Sequence, residues 1–285
     1  MNRRDRILAE ARAVPSLPTS AVETVRLLQS PEVDIAELTS AIELDPSLTS
    51  NILRLSNSAS FGSPRSISSV RQAVVRLGMN TVLRLAVTSA FAPLARRSIK
   101  GYDLPPGELL RHSVGVAQGT EKLAAALEVE APGHTFTAGL LHDVGKIVLG
   151  TFVEVDAGPI MSLALGEGIS FELAEQQVLG IAHAEVGAIL LDNWNLPQVV
   201  CDVVRWHHNP QQFEGSTDAV DLVHVADNLC LLGGIGSGSG GSNYRPCPEV
   251  ASRLGLTTQV AETVFCQVLS ELEELCGLFA ASTGR

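Results

Sequence analysis

Aromatic residues are scarce in this chain: eight Phe, two Tyr and two Trp, 4% of 285 residues. Ala, Leu and Val carry most of the 45% hydrophobic content. Sheets favour β-branched and aromatic side chains, and Ala and Leu favour helices, so this balance predicts packed helices. No strict apolar–polar alternation and no repeat of fixed period are legible, which excludes a sheet-built domain and a solenoid. The five cysteines, Cys201, Cys230, Cys247, Cys266 and Cys276, are odd in number and include no CxxC pair. That argues against a zinc ribbon or a disulfide framework and for reduced thiols in a cytoplasmic protein. The N-terminal MNRRDRILAEARAVPSLP has no apolar signal core. The longest apolar stretch, VLRLAVTSAFAPLA (82–95), is broken by Arg84 and is too short to span a bilayer, so no membrane insertion is expected.

Acidic residues are missing from one long segment. Pro46 to Tyr102 contains no Asp or Glu but eight cations: Arg54, Arg65, Arg71, Arg76, Arg84, Arg96, Arg97 and Lys100. The whole chain carries −11, so the remainder carries −19. This asymmetry suggests a basic face suited to a phosphate, an acidic partner or nucleic acid; the alternative is that these cations pair internally with the acidic half.

Residues 1–104 read as consecutive short helices. Thr19 or Ser20 can cap one helix, Asp34 and Asp45 cap two more, and Pro46 suits a first helical position. Ser30-Pro31 ends a helix, Phe61-Gly62-Ser63-Pro64 is a turn, and 69–92 divides into two helices near Gly78. Tyr102 to Gly107, with Pro105 and Pro106, is expected to be a hinge separating 1–104 from 105–285. Further helices are expected at 107–128, 134–149, 157–166, 170–179, 182–194, 197–208, 218–232 and 258–280. The Gly/Ser-rich stretch 233–249 is expected to be a flexible surface loop.

What the chain does have is a set of metal-binding residue types on apolar helices. His112, His142, Asp143, His183, His207, His208 and Asp227 include five of the seven histidines. GLLHDVGKIVLG (139–150) reads as a buried helix with His142 and Asp143 in its middle, and buried polar groups need partners. VVRWHHNP (203–210) repeats the adjacent-ligand arrangement at a helix end. Five helices offering ligands to a common interior point would build a metal centre as helical bundles do. The two aspartates contribute −2, so two divalent ions would leave the centre positive and matched to a phosphate ester or anhydride. A bound ion lowers the pKa of water from 15.7 to roughly 7. Imidazoles with carboxylates suit Fe, Mn, Zn or Ni. Asp143 and Lys146 are the candidate catalytic residues, Lys146 lying one turn past His142, where it could steady a phosphate. His224, three residues before Asp227, is a candidate supporting partner. His134 is expected to be solvated, and Trp194 and Trp206 to lie in the core.

These residues, in this order, resemble the HD superfamily of metal-dependent phosphohydrolases, whose minimal signature matches His112, His142-Asp143 and Asp227. The added His183 and His207-His208 resemble the HD-GYP branch, whose members hydrolyse cyclic di-GMP at a two- or three-metal centre. That likeness stops at the ligands: NPQQFEGSTDAV follows the His pair here, with no Gly-Tyr-Pro signature. A closer resemblance covers nearly the whole chain. PSLPTSAVETVRLL (15–28), ELDPSLTSNILRLSNSASFG (43–62) and SISSVRQAVVRLGMNTVLRLAV (66–87) are similar to the N-terminal half of the HDOD family, the HD-related output domains. GLLHDVGKIVL and HAEVGAILLDNWNLPQVVCDVVRWHHNP are similar to its second half. The resemblance implies an all-α fold, with an N-terminal helical subdomain packed on an HD-like helical domain. It also implies a place in bacterial signalling, with activity generally absent or unproven. No sensory domain is legible, so the expected input is a ligand, a partner or expression level.

Three functional readings follow. The first is a regulatory module that binds a signalling protein or a nucleotide and carries a divalent-metal site. The second is a metal-dependent phosphohydrolase acting on a nucleotide or cyclic dinucleotide. The third, weaker, is nucleic-acid binding through Arg65, Arg71, Arg76 and Arg84, which no recognised reading motif supports.

Overall fold

Side-chain caps set where the first helices begin. Asn2 accepts from the Asp5 amide ahead of α1 (Arg3–Ala13), and Asp34 from Ala36 ahead of α3 (Ile35–Glu43). Asp45 accepts from both Ser47 and Leu48 ahead of α4 (Pro46–Ser56), and Ser69 from Gln72 ahead of α5 (Val70–Leu77). Each oxygen satisfies an amide that has no partner inside its helix. α2 (Thr19–Leu27) begins differently: the Pro18 carbonyl accepts from Ala21 and Val22, and the Ser20 hydroxyl donates to Asp45 Oδ2 at 3.1 Å. Neither Thr19 nor Ser20 is the cap. Gly78 separates α5 from α6 (Met79–Ala95). This computed structural model describes residues 2–27, 34–58, 66–236, 238–241, 243–244 and 246–280. The expected breaks at Ser30-Pro31 and at 61–64, and Arg65, lie outside the described residues.

The fold is all-helical, with no strand among the described residues. α6 buries Val82, Leu83, Leu85, Ala86, Val87 and Phe91 and packs against α2, α4 and α5. The second half contains α7 (Glu108–Leu127), α8 (Thr135–Leu141), α9 (Lys146–Glu167), α10 (Phe171–Leu179) and α11 (His183–Asn193). It continues with α12 (Gln198–Trp206), α13 (Asp218–Leu232), α14 (Pro248–Leu254) and α15 (Thr258–Ala280). α7 is its axis, packed against α8, α13 and α15, while α11 and α12 form an adjoining pair. α1 lies against α9 and α11, with Arg3 paired to Asp156 at 3.2 Å and Arg4 to Glu185 at 2.6 Å.

Four local expectations change. The stretch 134–149 is not one helix: the chain leaves α8 at His142, turns through His142–Gly145, and resumes at Lys146. The reason is tertiary. A Cβ on Gly145 would run into the His183 carbonyl and lie 2.6 Å from the Gly187 amide, so α11 crosses at backbone contact and the chain turns there. α9 then runs through the expected 157–166 helix as one element, kinked at Asp156 (φ −108°, ψ 19°) ahead of Pro159. The expected hinge is a 3₁₀ turn (Lys100–Tyr102) closed by pairing of Ile99 with Leu104, and Tyr102 and Leu104 are buried. The stretch 233–249 is anchored at points rather than free along its length: Ile235 is buried, Asn243 donates to the Ala164 carbonyl at 2.8 Å, and α14 begins within it. Residues 237, 242 and 245 of that stretch lie outside the described residues.

By length and composition one stretch, Thr135–Glu167, is apolar enough to cross a membrane. It is interrupted by the His142–Gly145 turn that bears two of the candidate ligands. Within the basic segment, Arg84 pairs with Glu121 on α7 and lies 5.5 Å from the Phe136 ring centroid. At this position the positive charge is spent on internal pairing.

Candidate metal centre

Seven side chains from three helices and two turns meet in one buried cluster. α7 supplies His112, the α8–α9 turn His142 and Asp143, and the start of α11 His183. The end of α12 supplies His207 and His208, and α13 supplies Asp227. They fall into two groups whose donor atoms lie within 4.8 Å of one another: His112, His142 and Asp227; and Asp143, His183, His207 and His208. All seven side chains are at most 4% exposed.

Backbone carbonyls orient three of the rings. Nδ1 of His112 donates to the Ile235 carbonyl at 2.8 Å, Nδ1 of His142 to Gly139 at 2.7 Å, and Nδ1 of His207 to Val204 at 2.7 Å. A carbonyl can only accept, so each Nδ1 carries the proton and each Nε2 can present a lone pair to the cluster interior. Nε2 of His112 lies 3.2 Å from Nε2 of His142 and 3.1 Å from Asp227 Oδ1. In the other group, Nε2 of His183 lies 2.8 Å from Nε2 of His208 and 3.3 Å from Asp143 Oδ1. Asp143 stands between the groups, since its Oδ2 is 3.5 Å and 3.4 Å from Nε2 of His112 and His142.

The cluster fits divalent ions on two counts. Donors about 2.1 Å from one ion lie about 3.0 Å apart at right angles and about 3.4 Å apart at tetrahedral angles. Four of the six spacings above fall in that range, and the other two, 2.8 and 3.5 Å, lie just outside it. Four buried donor atoms, Asp143 Oδ1, Asp227 Oδ2, His207 Nε2 and His208 Nδ1, also have no hydrogen-bond partner among the described residues. Buried polar atoms are costly unless something satisfies them, and a cation would do so. The buried His and Asp groups can therefore bind metal.

The metal-free cluster holds its charge in pairs. Burial pushes the His142 imidazolium down, but Asp143 and Asp227 outweigh it and bring its pKa up to about 10. Burial opposes the charged form of His183 too, and Glu175 and Asp143 raise it to about 9. His207 is driven down to about 3 by burial and by the neighbouring His142 cation, and His208 falls well below its usual value by burial and by His207. Burial opposes ionisation of both aspartates, yet Lys146 and His142 hold Asp143 well below the usual carboxylate range, and His112 and His142 do the same for Asp227. Lys146 Nζ lies 2.6 Å from Asp143 Oδ2 and is itself buried, so its ammonium is already engaged with a candidate ligand.

The residues outside the seven separate clearly. His224 donates from Nδ1 to the His207 carbonyl at 2.7 Å and accepts the Cys247 amide at Nε2, 2.9 Å away. It braces the backbone of the His pair rather than a ligand ring. His134 is half-buried at the start of α8, so it is only partly solvated. Trp194 is buried and Trp206 half-buried against the core.

Glu175 and Tyr102 are absent from the sequence-based candidate list. Glu175 is fully buried; its Oε2 accepts the His183 amide at 2.8 Å and faces His183 Nδ1 at 2.7 Å. The Tyr102 hydroxyl donates to Glu175 Oε1 at 2.5 Å. A signal for Glu175 does exist: Phe171, Ala174, Glu175 and Val178 share one helical face, which places a carboxylate on an apolar stripe.

A cavity of about 620 Å³ adjoins the cluster at His208, lined among others by Glu172, Asn209, Gln211, Tyr244 and Glu249. The Tyr244 ring lies 4.4 Å from that of His208. No Lys or Arg contributes to this lining among the described residues.

The chain matches the HDOD domain over residues 14–210, a span that holds six of the seven cluster residues and ends before Asp227. An uncharacterized protein of Treponema pallidum (strain Nichols) is 28% identical over 222 residues, 74% of this chain and 42% of that protein. The chain thus spans less than half the length of this relative. Among solved structures, an HDOD domain protein of unknown function from Geobacter sulfurreducens shares 27% identity at a TM-score of 0.68, covering 98% of this chain and 97% of that one. A proposed signal transduction protein from Marinobacter aquaeolei VT8 reaches 0.71 at 23% identity, over 94% of this chain and 60% of that one. A proposed phosphohydrolase from Shewanella amazonensis SB2B reaches 0.61 at 23% identity, over 92% of this chain and 97% of that one. At these last two identities the likeness speaks for the fold. With a domain match over most of its length and an all-helical architecture shared almost end to end, the chain belongs to the HDOD domain family.

Proposed function

We propose that the protein is a regulatory module in which the His/Asp cluster holds two divalent ions, and in which metal occupancy sets the surface offered to a protein partner or nucleotide. His112, His142 and Asp227 would hold one ion, His183, His207 and His208 the other, and Asp143 would serve both. Fe, Mn, Zn and Ni all suit this donor set. The division of the chain near residue 104 belongs to the same reading, with the N-terminal helices as the partner-facing part.

One observation carries it: the donor set is whole, yet its approach is poor for a phosphate. The cluster side chains are at most 4% exposed, and the adjoining cavity presents Glu172 and Glu249 and, among the described residues, no Lys or Arg. Phosphate sites ordinarily carry Arg or Lys donors, and carboxylates repel the anion.

A second reading, phosphohydrolysis, is favoured by the whole ligand set together with Lys146. A bound ion would acidify water, supplying hydroxide near neutral pH. Asp143 would orient, and Lys146 would hold Asp143 ionised while offering its remaining N–H donors to an entering phosphate oxygen. The two readings part in one experiment. Purified protein loaded with Mn, Fe, Mg or Zn is assayed for metal content and for turnover of nucleotides, cyclic dinucleotides and a generic phosphodiester. Bound metal without turnover is the expected result; turnover lost together with metal in Asp143→Ala would establish the hydrolase instead.

A further inference from the structure

Tyr102 stands where the chain passes from α6 to α7, and it touches the metal cluster through two arms. One runs from its hydroxyl to Glu175 Oε1 at 2.5 Å, then from Glu175 Oε2 to Nδ1 and the amide of His183 at 2.7 and 2.8 Å. The other runs from its ring face to Lys146 Nζ, 5.5 Å from the ring centroid, then to Asp143 Oδ2 at 2.6 Å. The first arm ends inside one donor group, on His183, whereas the second ends on Asp143 Oδ2, the oxygen that faces His112 and His142. The other group rests on different supports, with His112 and His142 held by the carbonyls of Ile235 and Gly139.

The connector is seated firmly enough to matter. Gly101 lies against the backbone of α9, where a Cβ would strike the Gly150 carbonyl, and the Tyr102 side chain is fully buried beside Phe171. Glu175 and Lys146 are buried as well, so neither arm is diluted by water.

We infer that the Tyr102 hydroxyl, acting through Glu175, is a positioning group for one ion position only, that of His183, His207 and His208, and that the α6–α7 connector thereby couples the N-terminal helices to occupancy of that position. This rests on the two-ion reading above. The physical basis is general: an imidazole ligand is oriented by what its other nitrogen donates to, and loss of such a support typically costs 10–100-fold in metal affinity. Coupling is reciprocal, so an ion at that position must also hold the connector in place.

The test uses the full chain and Mn²⁺ alone as the probe. Calorimetric titration of the wild type should resolve two affinities. Tyr102→Phe, which removes only the hydroxyl, should weaken one of them about tenfold and leave the other unchanged; Glu175→Gln should do the same by about 10–100-fold. Hydrogen exchange at residues 99–104 should slow on filling of the position that these variants weaken, and should not respond to the other ion. Phe91→Leu, a buried change in α6 away from both arms, supplies the purely structural comparison and should lower thermal stability with both affinities intact. Equal affinities in Tyr102→Phe and wild type, or equal weakening of both positions, would overturn the coupling while leaving the metal centre standing. A wild type that binds no divalent ion would overturn both.

Discussion

Metal binding should be steeply pH-dependent, by an amount the cluster's geometry determines. In the metal-free protein His142 is raised to about 10 and His183 to about 9, so both are imidazolium at neutral pH. His207, at about 3, and His208, lower still than its usual value, are already neutral. A ligating nitrogen must be unprotonated, so filling the cluster expels the protons of His142 and His183. One of these belongs to each donor group. Each ion's apparent affinity should therefore rise about tenfold per pH unit, and the product of the two about a hundredfold, with the His183 group flattening above about pH 9 and the His142 group above about pH 10. The assay is titration with Mn²⁺ at several pH values, in buffers of different ionisation enthalpy, which counts protons directly. Two ions bound with no proton release would refute the reasoning, because the two histidines would then be either neutral beforehand or not ligands. The metal-free protein should show the opposite trend. A raised histidine stabilises the fold fully below its unfolded value near 6.5, and that contribution is lost as pH rises through about 9 and 10, so thermal stability without metal should fall on the alkaline side.

Asp143 presents one oxygen to each donor group, so Asp143→Asn should weaken both ions by about 100-fold or more, at or beyond the upper end of what loss of a supporting partner does; retention of one ion at wild-type affinity would show that Asp143 does not serve both. Gly145→Ala should cost about 1–3 kcal/mol in chemical denaturation, because a Cβ there meets the His183 carbonyl and Gly187 amide across the α9–α11 crossing; an unchanged midpoint would mean the crossing yields freely. Asp221 is buried and receives Arg253 through two bonds of 2.7 and 2.9 Å. Arg253→Ala should therefore destabilise by about 1–3 kcal/mol, tempered by the exposure of Arg253 itself, and should loosen α14 in hydrogen exchange; native protection there would count against the pair as its anchor.

Much of the fold was legible because its signals are local. Capping carboxylates at Asp34 and Asp45 act within a few residues, and the glycine at 78 acts on its own backbone, so periodicity and punctuation located α3 to α6. The misreadings share the opposite property. Nothing within 139–150 marks the turn at His142–Gly145, because what demands it is α11 crossing at backbone contact. Tyr102 to Gly107 carries two prolines and reads as a hinge, yet its seating depends on Glu175, 73 residues later. The Gly/Ser content of 233–249 suggested an outward loop, and composition is silent on the Ile235 carbonyl that holds His112.

By itself, the amino-acid sequence determined the inventory: helices throughout, and five imidazoles and two carboxylates on apolar segments, where unpaired polar groups are too costly to be incidental. The tertiary structure alone decided how that inventory divides. It assigned the donors to two groups with Asp143 between them, aimed each supported ring by what its Nδ1 donates to, and ran one buried arm from the α6–α7 connector to His183 and another to Asp143. The physical reason is that residue type records the capacity to ligate, whereas direction and partnership come from backbone carbonyls and from side chains brought together by packing, and a carbonyl looks the same at every position of a sequence.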